Sequence, residues 1–294
     1  MRVALLYAAV VLIWGSTWAA IKLQLGVVAE EVSVAWRFAL ASASLFAYAA
    51  VSGRRIGIPL NAYGMVVIQG MLMFSANYLL TYYAIGYVTS GLVAVIFSLI
   101  VIFNALFSWL LFGSPFEIRL AVAALIGVAG VACLFWPEVT AFELADESLL
   151  GMLLGMAAVV IASLGNMAAI TNTNRQLPVV SVNAHGMAWG ALASLVVSAL
   201  FGRRIDFLWQ ADYVLSLLYL AVFGSAVAFG CYLALIRRIG AARAAYTAVL
   251  FPPVALLIST FVEGYRWTVP AIIGTGLIIA GNWLALTRIK GSAQ

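Results

Sequence analysis

SVAWRFALASASLFAYAAVSGRRI, residues 33–56, returns later in the chain as SVNAHGMAWGALASLVVSALFGRRI, residues 181–205. Each is an apolar run that closes on Gly-Arg-Arg-Ile, and each has about the 20 residues a helix needs to cross roughly 30 Å of hydrocarbon. Ten such runs fill the chain, near 4–21, 32–52, 62–84, 88–112, 119–136, 150–171, 181–201, 213–236, 243–262 and 269–287. Of 294 residues, 66% are hydrophobic and 9% charged, with mean hydropathy +1.12. A soluble domain of this size could not cover so much apolar surface with a polar exterior. The runs are continuous instead of alternating, which argues for membrane-spanning helices over a β-barrel. Pro59, Pro115, Pro137, Pro178 and Pro270 fall at or between their ends, where a missing N–H is tolerated. Only Pro252 and Pro253 lie deep within a span.

The repeated stretch sits at an offset near 150 residues, and Gly113 and Gly130 are spaced as Gly264 and Gly281 are. This divides the chain into two five-helix units, 1–145 and 146–294. Five is odd, so the second unit inserts upside down relative to the first. Many secondary transporters are built this way, with a substrate site near the midplane where the halves meet. Basic residues orient the whole. With the N-terminus inside, the inner segments hold Arg2, Arg54, Arg55, Arg119, Arg175, Arg237, Arg238, Arg243, Arg288 and Lys290, against Lys22, Arg203, Arg204 and Arg266 outside. Of the acidic residues only Glu117 falls inside. Both termini are therefore expected in the cytoplasm, in an inner or plasma membrane. Topology then accounts for most of the net charge of +5 without a nucleic-acid partner. Removal of the first span as a signal peptide would leave nine spans and spoil the symmetry, so the span is expected to stay. Cys133 and Cys231 lie in separate spans and read as small buried hydrophobes.

WGSTWAAIKL (14–23), YLAVFGSAVAFGCYLALIRRIGAARAAYTAVLFPPVALLISTFVEGYRWT (219–268) and AIIGTGLIIAG (271–281) resemble the first, the eighth to ninth, and the tenth helices of the EamA family. That family belongs to the drug/metabolite transporter superfamily, and within it the pattern most resembles the YddG-type aromatic amino acid exporters. The resemblance covers essentially the whole chain. It implies an all-α membrane protein of ten helices in two inverted repeats, around a central cavity lined mainly by helices 1, 3, 4, 6, 8 and 9. It also implies export of small metabolites, often amino acids. The first half departs from the family pattern. Phe97-Ser98-Leu99 stands where the second half has Phe251-Pro252-Pro253, and Phe112-Gly113 stands where helix 9 ends in Glu263-Gly264. A hinge in helix 4 is left open by these departures.

Within the spans, Pro252-Pro253 removes two backbone donors and frees carbonyls near Val249 and Leu250, which reads as a hinge, a broken-helix site or a static kink. Tyr78 and Tyr82, four apart, share a helix face with Ser75 one turn earlier. At mid-depth such tyrosines need partners and can meet an apolar side chain while offering hydroxyls. Phe97, Phe229 and Tyr246 are similar lining candidates, while Trp14 and Trp18 read more readily as packing. Ser163 and Asn166 make a small polar patch that either contacts cargo or ties helices together. Arg37 is the one charge clearly inside a span. It can attract a carboxylate, act in an outer gate, pair with Glu30 or Glu31, or snorkel to the surface. His185, the only histidine, sits at nearly the equivalent place in helix 7 as a gating or hydrogen-bonding residue. Lys22 reads as an interfacial anchor.

The sequence contains no phosphate-binding G-x-x-x-x-G-K-[ST] loop, so no ATP partner is expected. No Asp or Glu lies well inside a span, which favours facilitated diffusion over a carboxylate proton relay. One histidine cannot make the common zinc sites, and no cofactor is expected. The expected partners are the lipid bilayer and a small-molecule cargo, amino acids first. The same fold carrying drugs or other metabolites is the alternative. A membrane-embedded enzyme would need a convergent acid, base or metal that the spans do not supply. The oligomeric state is open.

Overall fold

The computed structural model describes residues 3–24, 26, 28–88, 90–115, 117–140, 146–262 and 266–286. Arg2, Glu263, Gly264, Arg288 and Lys290, with the side chains of Trp18 and Lys22, lie outside the described residues. Among the described residues there is no strand. The long helices are α1 (Val3–Lys22), α2 (Glu30–Val51), α3 (Leu60–Ile85), α4 (Ser90–Ser98 with Ile100–Phe112) and α5 (Ile118–Leu134). They continue as α6 (Asp146–Asn174), α7 (Val179–Leu200), α8 (Ala211–Ile239), α9 (Ala241–Val249 with Phe251–Val262) and α10 (Val269–Leu286). By length and composition eight of these can cross a membrane, and α1 and α5 add the shorter apolar stretches Val3–Thr17 and Ile118–Leu134. Helix α5 ends two residues short of its expected limit, and a short helix, Trp136–Thr140, follows it.

The shared Gly-Arg-Arg of the two similar stretches is a helix stop. After α2, Gly53 takes φ +63°, its N–H bonds the Ala50 carbonyl, and the Arg54 N–H reaches back to Ala49 at 2.9 Å. After α7, Gly202 takes φ +62°, with Gly202 N–H on Ala199 and Arg203 N–H on Ser198 at 2.9 Å. This double bond around a left-handed glycine closes the last carbonyls of a helix, so the repeat is one turn chemistry used twice. Pro59 and Pro178 stand just ahead of α3 and α7, where a proline pre-sets the helical entry.

At one end the start of α1 meets the end of α10 (Tyr7 with Asn282), and the end of α2 meets the start of α7 (Ile56 with His185). The start of α9 meets the start of α5 there through Arg243 and Glu117, 2.8 Å apart. At the opposite end Trp36 of α2 donates to the Asp206 carbonyl, in the segment between α7 and α8. The most extensive helix pairs are α5 with α10, α3 with α6 and α2 with α7. The first closes on bare backbone, since a Cβ on Gly274 would stand 2.5 Å from the Gly130 oxygen.

Four interruptions shape the centre, and they recur at the repeat spacing. Helices α3 and α8 each contain a π turn, Leu72–Ala76 and Val222–Val227. Helices α4 and α9 each break at one residue, Leu99 and Leu250, whose N–H bonds three residues back, to Ile96 and Thr247, both at 3.0 Å. Helix α4 therefore breaks without a proline. Ser98 Oγ donates to the Val95 carbonyl at 2.6 Å, a local bond that competes with the helical ladder. In α9 the prolines are placed differently from the mid-helix expectation. Pro252 and Pro253 occupy the first turn of the segment that resumes at Phe251, where no helical N–H is required. The carbonyl that a side chain answers is that of Tyr246, bonded by Asn282 Nδ2 at 3.0 Å, and the Leu250 carbonyl still accepts from Val254 at 3.4 Å.

Gly274→Val should force α5 and α10 apart and lower stability by about 1–3 kcal/mol, the usual range for overpacking. Gly276→Val, which meets nothing within 4 Å, is the control. Thermal unfolding of the purified variants in detergent reads the difference, and equal melting points would deny the close contact.

Candidate functional site

Helices α1, α2, α3, α4, α6, α8 and α9 enclose a cavity of about 170 Å³, room for roughly a dozen waters or one small metabolite. Seven aromatic residues stand in its wall. Trp14 meets Phe229, Tyr232 and Phe251 with ring centres 4.8, 5.2 and 5.5 Å apart, and Tyr78, Tyr82 and Phe97 continue the lining. Thr17, Asn77, Thr81 and Asn166 add polar points.

The π turn of α8 sets the electrostatics. Such a turn takes an extra residue and leaves a carbonyl without its usual ladder partner. The Gly224 carbonyl within it accepts the Trp14 indole N–H at 2.9 Å and Arg37 Nη2 at 3.4 Å. Arg37 Nε donates to Ser225 Oγ at 2.9 Å, and the guanidinium lies 4.9 Å from the Tyr78 ring centre. Arg37 is 2% exposed and lines the cavity, so it does not snorkel. It does not pair with Glu31 either. That carboxylate, fully buried, accepts from the Tyr83 phenol at 2.6 Å and lies 3.7 Å from Arg203. Among the described lining residues Arg37 is the only charged one.

Of the expected lining residues, Tyr78, Tyr82, Phe97, Asn166 and Phe229 come together here. Ser163 and Tyr246 do not. Ser163 turns into the helix packing, its hydroxyl donating to Asn104 Oδ1 at 2.6 Å. The Tyr246 phenol donates to the Leu120 carbonyl, which aims the ring at α5 and away from the cavity. Ser75 is off the Tyr78 face as well, because the π turn rotates what precedes Asn77, and its hydroxyl bonds Ser194 of α7 at 2.8 Å. Pro252 and Pro253 stand behind the lining, and their neighbour Phe251 faces it. His185 lies elsewhere. Its Nε2 is 3.1 Å from the Ile56 carbonyl and so carries the proton, leaving Nδ1 to accept from Tyr63 at 3.3 Å.

Sequence reasoning missed Asn77, Tyr232, Phe251 and Asn104. Tyr232 had a signal, since it is Tyr82 moved by the repeat offset. Asn104 had none. Fully buried, it accepts from Ser163 and from Asn166 Nδ2 (3.2 Å), while its own Nδ2 donates to the Ala241 carbonyl at 3.5 Å. This clamp joins α4, α6 and α9 between the central cavity and a second one of about 510 Å³. The second cavity is lined by Ser108, Glu117, Asn174, Arg237 and Arg243 toward the end where α1 begins. No group of three potential metal ligands occurs among the described residues.

The sequence model of the EamA-like transporter family matches residues 1–136 and 149–287. The chain belongs to this family. Protein PagO of Salmonella typhimurium is 23% identical over 98% of this chain and 96% of its own. The uncharacterized inner membrane transporter YedA of Escherichia coli K12 is 26% identical over 92% of this chain and 86% of its own. The uncharacterized transporter YoaV of Bacillus subtilis is 22% identical over 97% and 96%. A solved crystal structure superposes with a TM-score of 0.82 at 20% identity, covering 97% of this chain and 96% of that one, which shows the shared fold. This EamA-family chain is thus a multi-span membrane protein of a transporter family, and its all-helical build agrees with the ten-helix expectation.

In this transporter chain Tyr246→Phe removes a buried bond to backbone and should lower stability by about 1 kcal/mol. Because the phenol lies outside the cavity, ligand affinity should be unchanged. Thermal unfolding and ligand titration on the same sample separate the two, and altered affinity would return Tyr246 to the lining.

Proposed function

We propose that the chain is a secondary transporter of the cytoplasmic membrane that exports amino acids and related small metabolites through the central cavity by alternating access. The observation that carries this reading is a cavity of one-metabolite size, walled by aromatic rings and holding a single buried cation, Arg37, among its described lining residues. Tyr78, Tyr82, Phe97, Asn166 and Phe229 then contact the cargo. Arg37 disfavours cationic drugs, the competing cargo within the same fold, because a desolvated cation would meet a like charge. No acid–base pair stands among the described lining residues to suggest an enzyme instead.

The working parts follow the repeat. Residues 1–145 and 146–294 form two units of opposite orientation, a reading supported by the paired glycine caps, π turns and breaks. Positive residues favour cytoplasmic termini. In that orientation the cavity reaches outward along Ile21 and Ile85, and the Asn104 clamp closes its cytoplasmic side. The tightened turns at Leu99 and Leu250 are the places where α4 and α9 can change angle. Without a carboxylate in the described lining, the cargo gradient itself drives the cycle.

Counterflow in proteoliposomes with a panel of labelled amino acids tests this. Uptake of particular amino acids without an ion gradient is expected, and Tyr82→Ala should weaken it about tenfold, corresponding to about 1.4 kcal/mol. Silence of folded protein across the panel would overturn the amino acid assignment. His185→Gln should leave the pH profile of uptake unchanged, because both imidazole nitrogens are engaged away from the cavity. A shifted profile would restore histidine-linked coupling.

A further inference from the structure

We infer that the central cavity holds a two-point site for the head group of an α-amino acid, with Arg37 Nη1 taking the carboxylate and Asn77 Oδ1 taking the ammonium. The inference rests on the transport reading above and narrows it to zwitterionic cargo.

Arg37 and Asn77 both line the cavity, and both are more than nine-tenths buried, at 2% and 8% exposure. Among the described residues, Arg37 Nη1 and Asn77 Oδ1 are each buried polar atoms without a hydrogen-bond partner. Buried polar groups in native proteins are nearly always partnered, and the exceptions call for an explanation. These two are complementary in kind, since one is a cationic donor and the other a neutral acceptor. Both line the cavity together with Tyr78. Asn77 precedes Tyr78 in the chain, and the Arg37 guanidinium lies 4.9 Å from the Tyr78 ring centre.

The rest of Arg37 is anchored. Nε is held by Ser225 and Nη2 by the Gly224 carbonyl, so the guanidinium is fixed at the cavity wall instead of sweeping the cavity, with Nη1 as its unanswered donor. No described carboxylate lies within ion-pair distance of it. A buried cation without a counter-charge is unfavourable, and an arriving carboxylate supplies one in the geometry that guanidinium favours. Asn77 Oδ1 is suited to an ammonium, because it accepts without carrying a charge that would quench Arg37. Trp14, Phe229 and Phe251 form a wall with no charged group, and there the apolar side chain of the cargo packs.

The test is a matched ligand series on the purified full chain, read by ligand-induced thermal stabilisation and by competition in counterflow. The probes are L-leucine and L-phenylalanine, L-phenylalaninamide, which lacks the carboxylate, and 3-phenylpropionate, which lacks the ammonium. The native protein should prefer L-phenylalanine over either analogue by at least about tenfold, the scale of a lost charge-assisted bond. Arg37→Gln should erase the preference over the amide and leave that over 3-phenylpropionate. Asn77→Leu should do the reverse. A folded Arg37→Gln protein that still prefers the amino acid to its amide overturns the inference, while counterflow of amino acids continues to support the transport reading. If Arg37→Gln does not fold, Asn77→Leu decides alone, and an unchanged preference over 3-phenylpropionate overturns the two-point site. Absence of binding and counterflow for every probe and amino acid overturns both.

Discussion

A helix inside hydrocarbon has no water to hydrogen-bond, so every backbone carbonyl it releases must be answered by the protein. This chain answers such carbonyls with side chains at three places near its centre, and the answers organise the molecule. The π turn of α8 presents the Gly224 oxygen, which draws in the Trp14 indole and the Arg37 guanidinium. The break in α9 gives the Tyr246 oxygen to Asn282, whose own oxygen accepts from Tyr7, tying α9, α10 and α1 together. The break in α4 is answered within its own turn by Ser98. The position of the cavity's only described charge is thus a by-product of satisfying backbone.

The charges follow a related division of labour. Glu31 is fully buried, yet Tyr83 and Arg203 hold it at the rim, away from Arg37. Glu117 is engaged by Arg243 at the opposite end. Glu31 and Glu117 are thus each neutralised near their own end, and neither pairs with Arg37. Between the ends, the Asn104 clamp is neutral and made of amides and a hydroxyl. Uncharged hydrogen bonds of this kind contribute modestly each, which suits a layer that opens as well as closes under the alternating-access proposal.

Much of this was legible in the residues, and the failures have identifiable causes. Apolar length located the helices, and the doubled Gly-Arg-Arg marked two equivalent ends because a left-handed glycine cap is a local device. Tyr78 and Tyr82 were readable as a shared face because regular helix intervenes between them. Ser75 was not, because the π turn before Asn77 changes the angular bookkeeping that a 3.6-residue period assumes. Ser163 and Tyr246 are polar residues on central helices, but their partners, Asn104 and the Leu120 carbonyl, come from other helices, and no single-helix pattern reveals which neighbour a hydroxyl will choose. The partners of Arg37 were hidden for the same reason. The acids at hand in sequence, Glu30 and Glu31, were the natural guess, while the observed acceptors are a backbone oxygen and a serine nearly two hundred residues away.

The anchoring of Arg37 also bears on how such a cavity responds to voltage. A guanidinium held by α8 stays with the protein while cargo passes, so its charge makes no net crossing. A cargo carrying both a carboxylate and an ammonium brings zero net charge, and its passage is electrically silent. A simple carboxylate would instead gain or lose about 2.3 kcal/mol per 100 mV of membrane potential. On the two-point proposal, a neutral acceptor and a fixed cation select the kind of solute whose passage a resting potential neither helps nor hinders.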